Sequence, residues 1–252
     1  MEPLRKPYQG IWNIIRFNWH FYLLATAMVV CMGLLNGFLA GPYHLIFCII
    51  IGAVVITTFI SLVVSFYVYD LSGLYQLNWL NELEVPADSK IVNINAGFDE
   101  LSTLLQHKFP DAGLLVYDFY DPLKHTEVSI KRARMAYPPY KNTVQISTSN
   151  LPLPDNYADN IFVLLAAHEI RNDEERDIFF IELHRILKDT GKIIVVEHLR
   201  DTLNFLAYNV GFLHFTAKPA WYKAFKNAGL NIYKEQKITL FITSFTLEKK
   251  WK

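Results

Sequence analysis

Charge is what the first quarter of this chain lacks: between Arg16 and Asp70 there is no Asp, Glu, Lys or Arg. Cysteine is scarce too. Cys31 and Cys48 both fall inside the uncharged stretch, at different distances from the Gly41-Pro42 pair, which argues against a disulfide and leaves them as small apolar residues. No spacing of His, Cys, Asp or Glu marks a metal site, and no internal repeat or low-complexity segment is present. A Gly-x-Gly-x-x-Gly loop is missing as well, which ranks a dinucleotide oxidoreductase last among the candidates. Beyond residue 69 the chain carries 21 basic and 23 acidic side chains, a net charge of −2, so nothing suggests a nucleic-acid groove.

The uncharged stretch divides at Gly41-Pro42 into two apolar pieces, about 21–40 and 43–69. Each reaches the roughly 20 residues that a helix needs to cross a hydrocarbon core about 30 Å thick. The spacing predicts a transmembrane helical hairpin over 20–69, turning at the Gly-Pro pair, with Trp12, Trp19, Tyr22, Tyr67 and Tyr69 at the interfaces. A cleaved signal fits less well, because the first apolar core is long and a second span follows at once. Arg5, Lys6 and Arg16 flank the first span and the turn has no basic residue. An integral membrane protein with both termini cytoplasmic follows, residues 1–19 forming an N-terminal interfacial segment.

Residues 70–89 read as a linker or interfacial helix ending at Pro86, lying on the membrane or over the following domain. From 90 to 252 the period alternates. Strands at Lys90–Ile94, Gly113–Asp118, Val144–Ile146, Ile161–Leu165 and Ile193–Glu197 are interleaved with helical spacings at 100–108, 125–135 and 174–187. A further helix carries Trp221, Ala224, Phe225 and Ala228 and stops at Gly229, before two terminal strands. Such alternation predicts an α/β, doubly wound parallel sheet.

Ligands of doubly wound sheets bind at the carboxyl ends of the strands. Asn93, Asn95, Gly97 and Asp99 follow the first strand in a tight loop that opens a helix. Asp118 ends the second strand, where an acid can accept both hydroxyls of a ribose; a helix cap or turn role is the alternative. His168 and Glu169 follow the fourth strand, and Glu197 with His198 the fifth.

The run Leu151-Pro-Leu-Pro-Asp-Asn-Tyr-Ala-Asp159, then Ala-Ala-His168-Glu169, Glu182-Leu-His-Arg-Ile-Leu-Lys188, Gly191-Lys-Ile-Ile-Val-Val-Glu197 and Phe225-Lys-Asn-Ala-Gly-Leu230, resembles the class I S-adenosylmethionine-dependent methyltransferases. The resemblance is to the branch that includes the quinone-biosynthesis enzymes and covers roughly residues 90–248. It implies a Rossmann-like seven-stranded sheet with its last strand antiparallel, and S-adenosylmethionine as cofactor. By position, Asn93 to Asp99 match the family's glycine-rich loop around the methionine portion, Asp118 the ribose acid, and Ser147 with Thr148 the residues beside the adenine. The loop departs from the family's pattern, with Asn93 in place of an acid and Asn95 and Asp99 in place of glycines.

Methyl transfer asks the protein for an aligned nucleophile, exclusion of water and sometimes a base. His168, Glu169 and His198 are the catalytic candidates; they either take a proton from a phenol or activated carbon or hydrogen-bond the nearby loops. Lys131, Arg132 and Arg134 form either a solvated helix face or a contact with anionic headgroups. The aromatic, uncharged segment 204–215 reads as a lid over a lipophilic small-molecule acceptor or as a plain core helix. The leading expectation is a membrane-anchored methyltransferase acting on a quinone precursor, aromatic polyene or lipid. The runner-up, prompted by the altered loop, is a catalytically silent methyltransferase-like scaffold or cofactor sensor. The sequence leaves the oligomeric state open.

Overall fold

A computed structural model describes residues 4–125 and 127–250; the ends of the segments expected at 1–19 and 90–252 therefore lie partly outside the described residues. Two long helices come first, α1 (Gln9–Asn36) and α2 (Pro42–Phe66). Gly41, at φ 62°, turns the chain between them, and Pro42 starts α2, where its missing N–H costs nothing. Both helices are long and apolar enough to cross a membrane, and none of the most apolar window of either is buried. The hairpin is therefore not a core element of this chain, and its exposed Phe21, Leu24, Leu34, Ile49, Ile56 and Phe59 form an uncovered apolar surface.

α1 begins earlier than the apolar run predicts, because its first turn is capped from the other helix. The Asp70 carboxylate accepts the N–H groups of Gly10 and Ile11 at 2.8 and 2.7 Å, satisfying orphan donors at the positive end of the helix. Only glycine allows this approach: a Cβ at position 10 would lie 2.4 Å from Tyr69 Cβ. Asn18, non-helical at φ −113°, kinks α1, and its amide bonds the Ile14 carbonyl at 3.0 Å. Gly10, Asn13 and Phe17, on one face of the helix before the kink, are buried.

Of the two expectations for 70–89, a linker or an interfacial helix, no continuous helix forms. α2 runs into a π turn (Tyr67–Leu71), and two 3-10 turns follow at Leu74–Gln76 and Asn78–Leu80. Gly73 and Leu77, both with positive φ, break the helical path. Leu74, Leu77 and Leu80 nevertheless bury themselves against Ile91, Leu105, Phe162, Ile194 and Ile242, so this segment lies over the domain.

The domain is one seven-stranded sheet in the order β3-β2-β1-β4-β5-β7-β6. Its strands are β1 (Lys90–Asn95), β2 (Gly113–Asp118), β3 (Val144–Gln145), β4 (Ala158–Leu164), β5 (Leu187–His198), β6 (Leu230–Lys237) and β7 (Ile242–Lys249). The first five run parallel, and β7 is antiparallel to both neighbours. Strand alternation sets the two cores: Ile161, Val163, Ile193 and Val195 face one layer while Phe162, Ile194 and Val196 face the other. The helices are α3 (Ser102–Lys108), α4 (Val128–Ala136), α5 (Asp173–Ile186), α6 (Thr202–Tyr208) and α7 (Lys218–Asn227). α5 and α7 fill the first layer with Phe179, Phe180, Trp221 and Phe225.

Part of the run that resembles the family is scaffold. Arg185 on α5 binds both Glu182 oxygens at 2.9 and 2.8 Å and the carbonyls of Leu151 and Leu153 at 2.9 and 2.8 Å. It thereby fixes the loop that leads into β4.

Candidate functional site

The base of the hairpin meets the carboxyl ends of β1, β2 and β5. Arg5 pairs with Glu100 at 2.6 Å, Tyr137 Oη donates to Asn13 at 2.8 Å, and Phe17 packs edge-on to Phe98 and Tyr137. Arg132 binds the Phe17 carbonyl at 2.6 Å beside the kink. Tyr69, just past α2, reaches His198 Nε2 at 2.9 Å. The site where a doubly wound sheet receives ligands is thus bounded by the hairpin.

On the β1–β2 side, Asn93 is buried, and its amide donates to Asp99 Oδ1 at 3.2 Å and Ser102 Oγ at 2.8 Å. Asp99 Oδ1 also accepts the N–H groups of Leu101 and Ser102, each at 2.9 Å, which opens α3. Asn95 Oδ1 accepts the Gly97 N–H at 3.0 Å, and Gly97 takes φ 94°. The left-handed residue is Gly97, with Asn95 in the strand supporting the turn. Two buried atoms of this loop have no partner: Asn95 Nδ2, a donor, and Asp99 Oδ2, an acceptor. Unpaired buried polar atoms are rare and costly.

Asp118 is buried, with Oδ1 accepting the Tyr120 N–H at 2.8 Å. Its other oxygen is held by the Arg134 guanidinium, which also lies over the Tyr120 ring at 4.4 Å. A Cβ at Gly97 would come 2.8 Å from the same guanidinium. Arg134 thus stands between the turn and the acid. Thr148 is buried and donates to Glu175 Oε1 at 2.6 Å, while Ser147 is engaged in a local turn with Ser149. Of the basic run, Arg132 and Arg134 are committed to protein partners, a commitment that spacing did not reveal.

The β4–β5 side is dense in ionisable groups. Glu197 is fully buried; Oε1 accepts the N–H groups of Ala166 and His168 at 3.2 Å each, and Oε2 binds His168 Nδ1 at 2.6 Å. Glu169 Oε1 lies 3.5 Å from His168 Nε2 and 3.4 Å from His214 Nε2. His214 comes from the 3-10 turn Asn209–His214, and its Nδ1 is 3.0 Å from Glu127 and 2.7 Å from Arg171. Burial would lower the His168 pKa, but Glu197 and Glu169 outweigh it and raise the value to about 10. Burial likewise pushes Glu169 upward, yet His168 and His214 hold it well below the carboxylate range.

His198 is set differently. Burial, only partly offset by Asn204, lowers its pKa to about 4. Tyr69 Oη donates to Nε2 and Nδ1–H donates to Asn204 Oδ1 at 3.0 Å, with Phe215 stacked on the ring at 4.7 Å. Both nitrogens of the neutral ring are engaged, and it joins the hairpin to the segment 202–215. That segment carries Phe205, Leu206, Val210 and Leu213 at the surface, so it is not a plain core helix.

The family profile described as a methyltransferase domain matches residues 122–195. The match begins after Asp118 and so omits the altered loop. No curated protein matches the chain in sequence. Among solved structures, an S-adenosylmethionine-dependent methyltransferase from Aquifex aeolicus shares 16% identity, covering 71% of this chain and 93% of its own, at a TM-score of 0.51. A protein from Pyrococcus horikoshii shares 13%, covering 69% and 87%, at 0.51. The [4+2]-cyclase SpnF shares 12%, covering 72% and 82%, at 0.53. The fold is that of the class I S-adenosylmethionine-dependent methyltransferases, and the cyclase has it too, so fold alone does not name the reaction.

Proposed function

We propose that this chain is a membrane-anchored S-adenosylmethionine-dependent methyltransferase whose acceptor is a lipophilic small molecule. The observation that carries this reading is the unpaired donor and acceptor in the β1 loop, at the carboxyl edge of the sheet and beside the hairpin base. The cofactor, when bound, supplies a methyl group already activated on a sulfonium. Asp99 Oδ2 would accept from its ammonium group, Asn95 Nδ2 would donate to its carboxylate, and Gly97 would leave room for its chain. Asp118 would take the ribose hydroxyls once Arg134 withdraws, with Ser147 and Thr148 beside the adenine. His168 and Glu169 would flank the acceptor, and His198 would position the wall that Tyr69 and Phe215 complete. The two apolar helices would span the bilayer with both termini in the cytoplasm, so that an acceptor dissolved in lipid reaches the cleft along the hairpin base.

A second reading, a silent scaffold or sensor, is favoured by the Arg134–Asp118 pair, which occupies the ribose acid. One experiment separates the two. The full chain in lipid nanodiscs is given methyl-labelled S-adenosylmethionine with a lipophilic phenol or quinol in the bilayer, or with a short-chain soluble analogue. Transfer of label, greater to the bilayer acceptor, is the expected result. Cofactor binding without transfer to any acceptor offered would support the sensor.

A further inference from the structure

Glu169, His168 and His214 converge from two elements, the 3-10 turn after β4 and the end of the segment 202–214. One ligand atom from each residue lies within 4.8 Å of the others. We infer that these three side chains form a binding site for a single divalent transition-metal ion of the zinc class, with His168 Nε2, His214 Nε2 and a Glu169 oxygen as ligands.

Two features support the site. The first is spacing: the Glu169 oxygen stands 3.5 and 3.4 Å from the two imidazole nitrogens, too long for good hydrogen bonds. Donors bound at about 2.0–2.1 Å to a tetrahedral ion stand about 3.3–3.4 Å apart, and the set of two His and one Glu recurs in zinc sites with an open fourth position. The second is the outer shell. His168 turns its far nitrogen, Nδ1, to Glu197 at 2.6 Å, the carboxylate–histidine pairing that fixes the tautomer in which Nε2 is free to ligate; His214 Nδ1 lies 3.0 Å from Glu127 and 2.7 Å from Arg171.

The ion would tie the segment 202–214 to the β4–β5 end of the sheet. Its open position would face an oxygen or nitrogen ligand. The site does not require S-adenosylmethionine, so its test is independent of the proposed reaction.

The full chain in nanodiscs is stripped with chelator, titrated with Co2+ and separately with Zn2+, and assayed for metal content. Expected are about one ion per chain, visible d–d bands of tetrahedral character with Co2+, and a rise in melting temperature with Zn2+ that chelator reverses. His214→Ala should weaken Co2+ binding by more than about 100-fold, and Glu127→Gln by about 10- to 100-fold, as expected for an outer-shell partner. A parent protein that holds well under one ion per chain and shows neither band nor shift would overturn the site. So would full Co2+ affinity in His214→Ala. Should that variant fail to fold, the parent's Co2+ spectrum and metal content decide by themselves.

Discussion

The two sides of the cleft are built on opposite plans. On the β1–β2 side the polar groups are spent on the protein itself, Asn93 on Asp99 and Ser102, Asp118 on Arg134 and Tyr120, while Asn95 Nδ2 and Asp99 Oδ2 have no partner among the described residues. On the β4–β5 side two histidines and three carboxylates crowd together. A single side chain, Arg134, seals the Asp118 carboxylate, whereas the other side has its ionisable groups gathered around His168.

The comparison breaks most decisively at Asp118. Asp118→Ala removes charge-assisted hydrogen bonds worth about 1.5–3 kcal/mol each, so calorimetry should find S-adenosylmethionine affinity reduced about tenfold or more. His168→Gln, across the cleft, should leave that affinity within about twofold and lower transfer, since its partners are Glu169 and Glu197 and not the β1 loop. A loss of cofactor affinity equal to that of Asp118→Ala would erase the division between the two sides.

A second test addresses the frame that holds the sides together. Asp70→Ala strips the α1 N-terminus of two bonds to a carboxylate and should cost roughly 1–3 kcal/mol in denaturant unfolding. Asp70→Asn, which keeps one acceptor oxygen, should cost less.

The third prediction concerns pH. His198 has a folded pKa of about 4, below its unfolded value near 6.5. The unfolded chain therefore binds more protons between these values. His198 thus contributes stability fully present above about pH 6.5 and lost as pH falls towards 4. Between pH 7 and 5.5 the parent should lose about 1 kcal/mol more than His198→Gln, read from unfolding curves at each pH. Parallel curves would remove the neutral-ring assignment.

The smallest effect is expected at Ser147. Its hydroxyl bonds only within an exposed turn, so Ser147→Ala should change stability by less than about 0.5 kcal/mol, and cofactor affinity by less than Asp118→Ala does.

What the sequence made legible follows from what is local. The missing charges from 17 to 69 mark the two apolar helices, and alternating periods mark the sheet; β1, β2, β4 and β5 fall within a few residues of expectation, β5 running longer at its start. The misplaced boundaries depend on distant partners. Asp70 extends α1 back to Gln9 across 60 residues, and Gly73 with Leu77 breaks a segment whose leucines alone suggested a helix. The site was half legible for the same reason. Residues after each strand were marked by topology, but the pairing of Arg134 with Asp118 and the arrival of His214 beside His168 are tertiary events with no signature in spacing. Within the run 151–197, where the resemblance is most specific, Arg185 ties the segment at 182–188 to the one that begins at Leu151, a requirement of the fold.

The central claim is that the β1 loop still holds the cofactor and that Arg134 only guards it. Calorimetry of the full chain in nanodiscs, parent beside Arg134→Met, tests this most directly. Saturable one-site binding of S-adenosylmethionine by the parent, tightened severalfold in Arg134→Met, is the predicted result. No binding by either protein while both remain folded would contradict it.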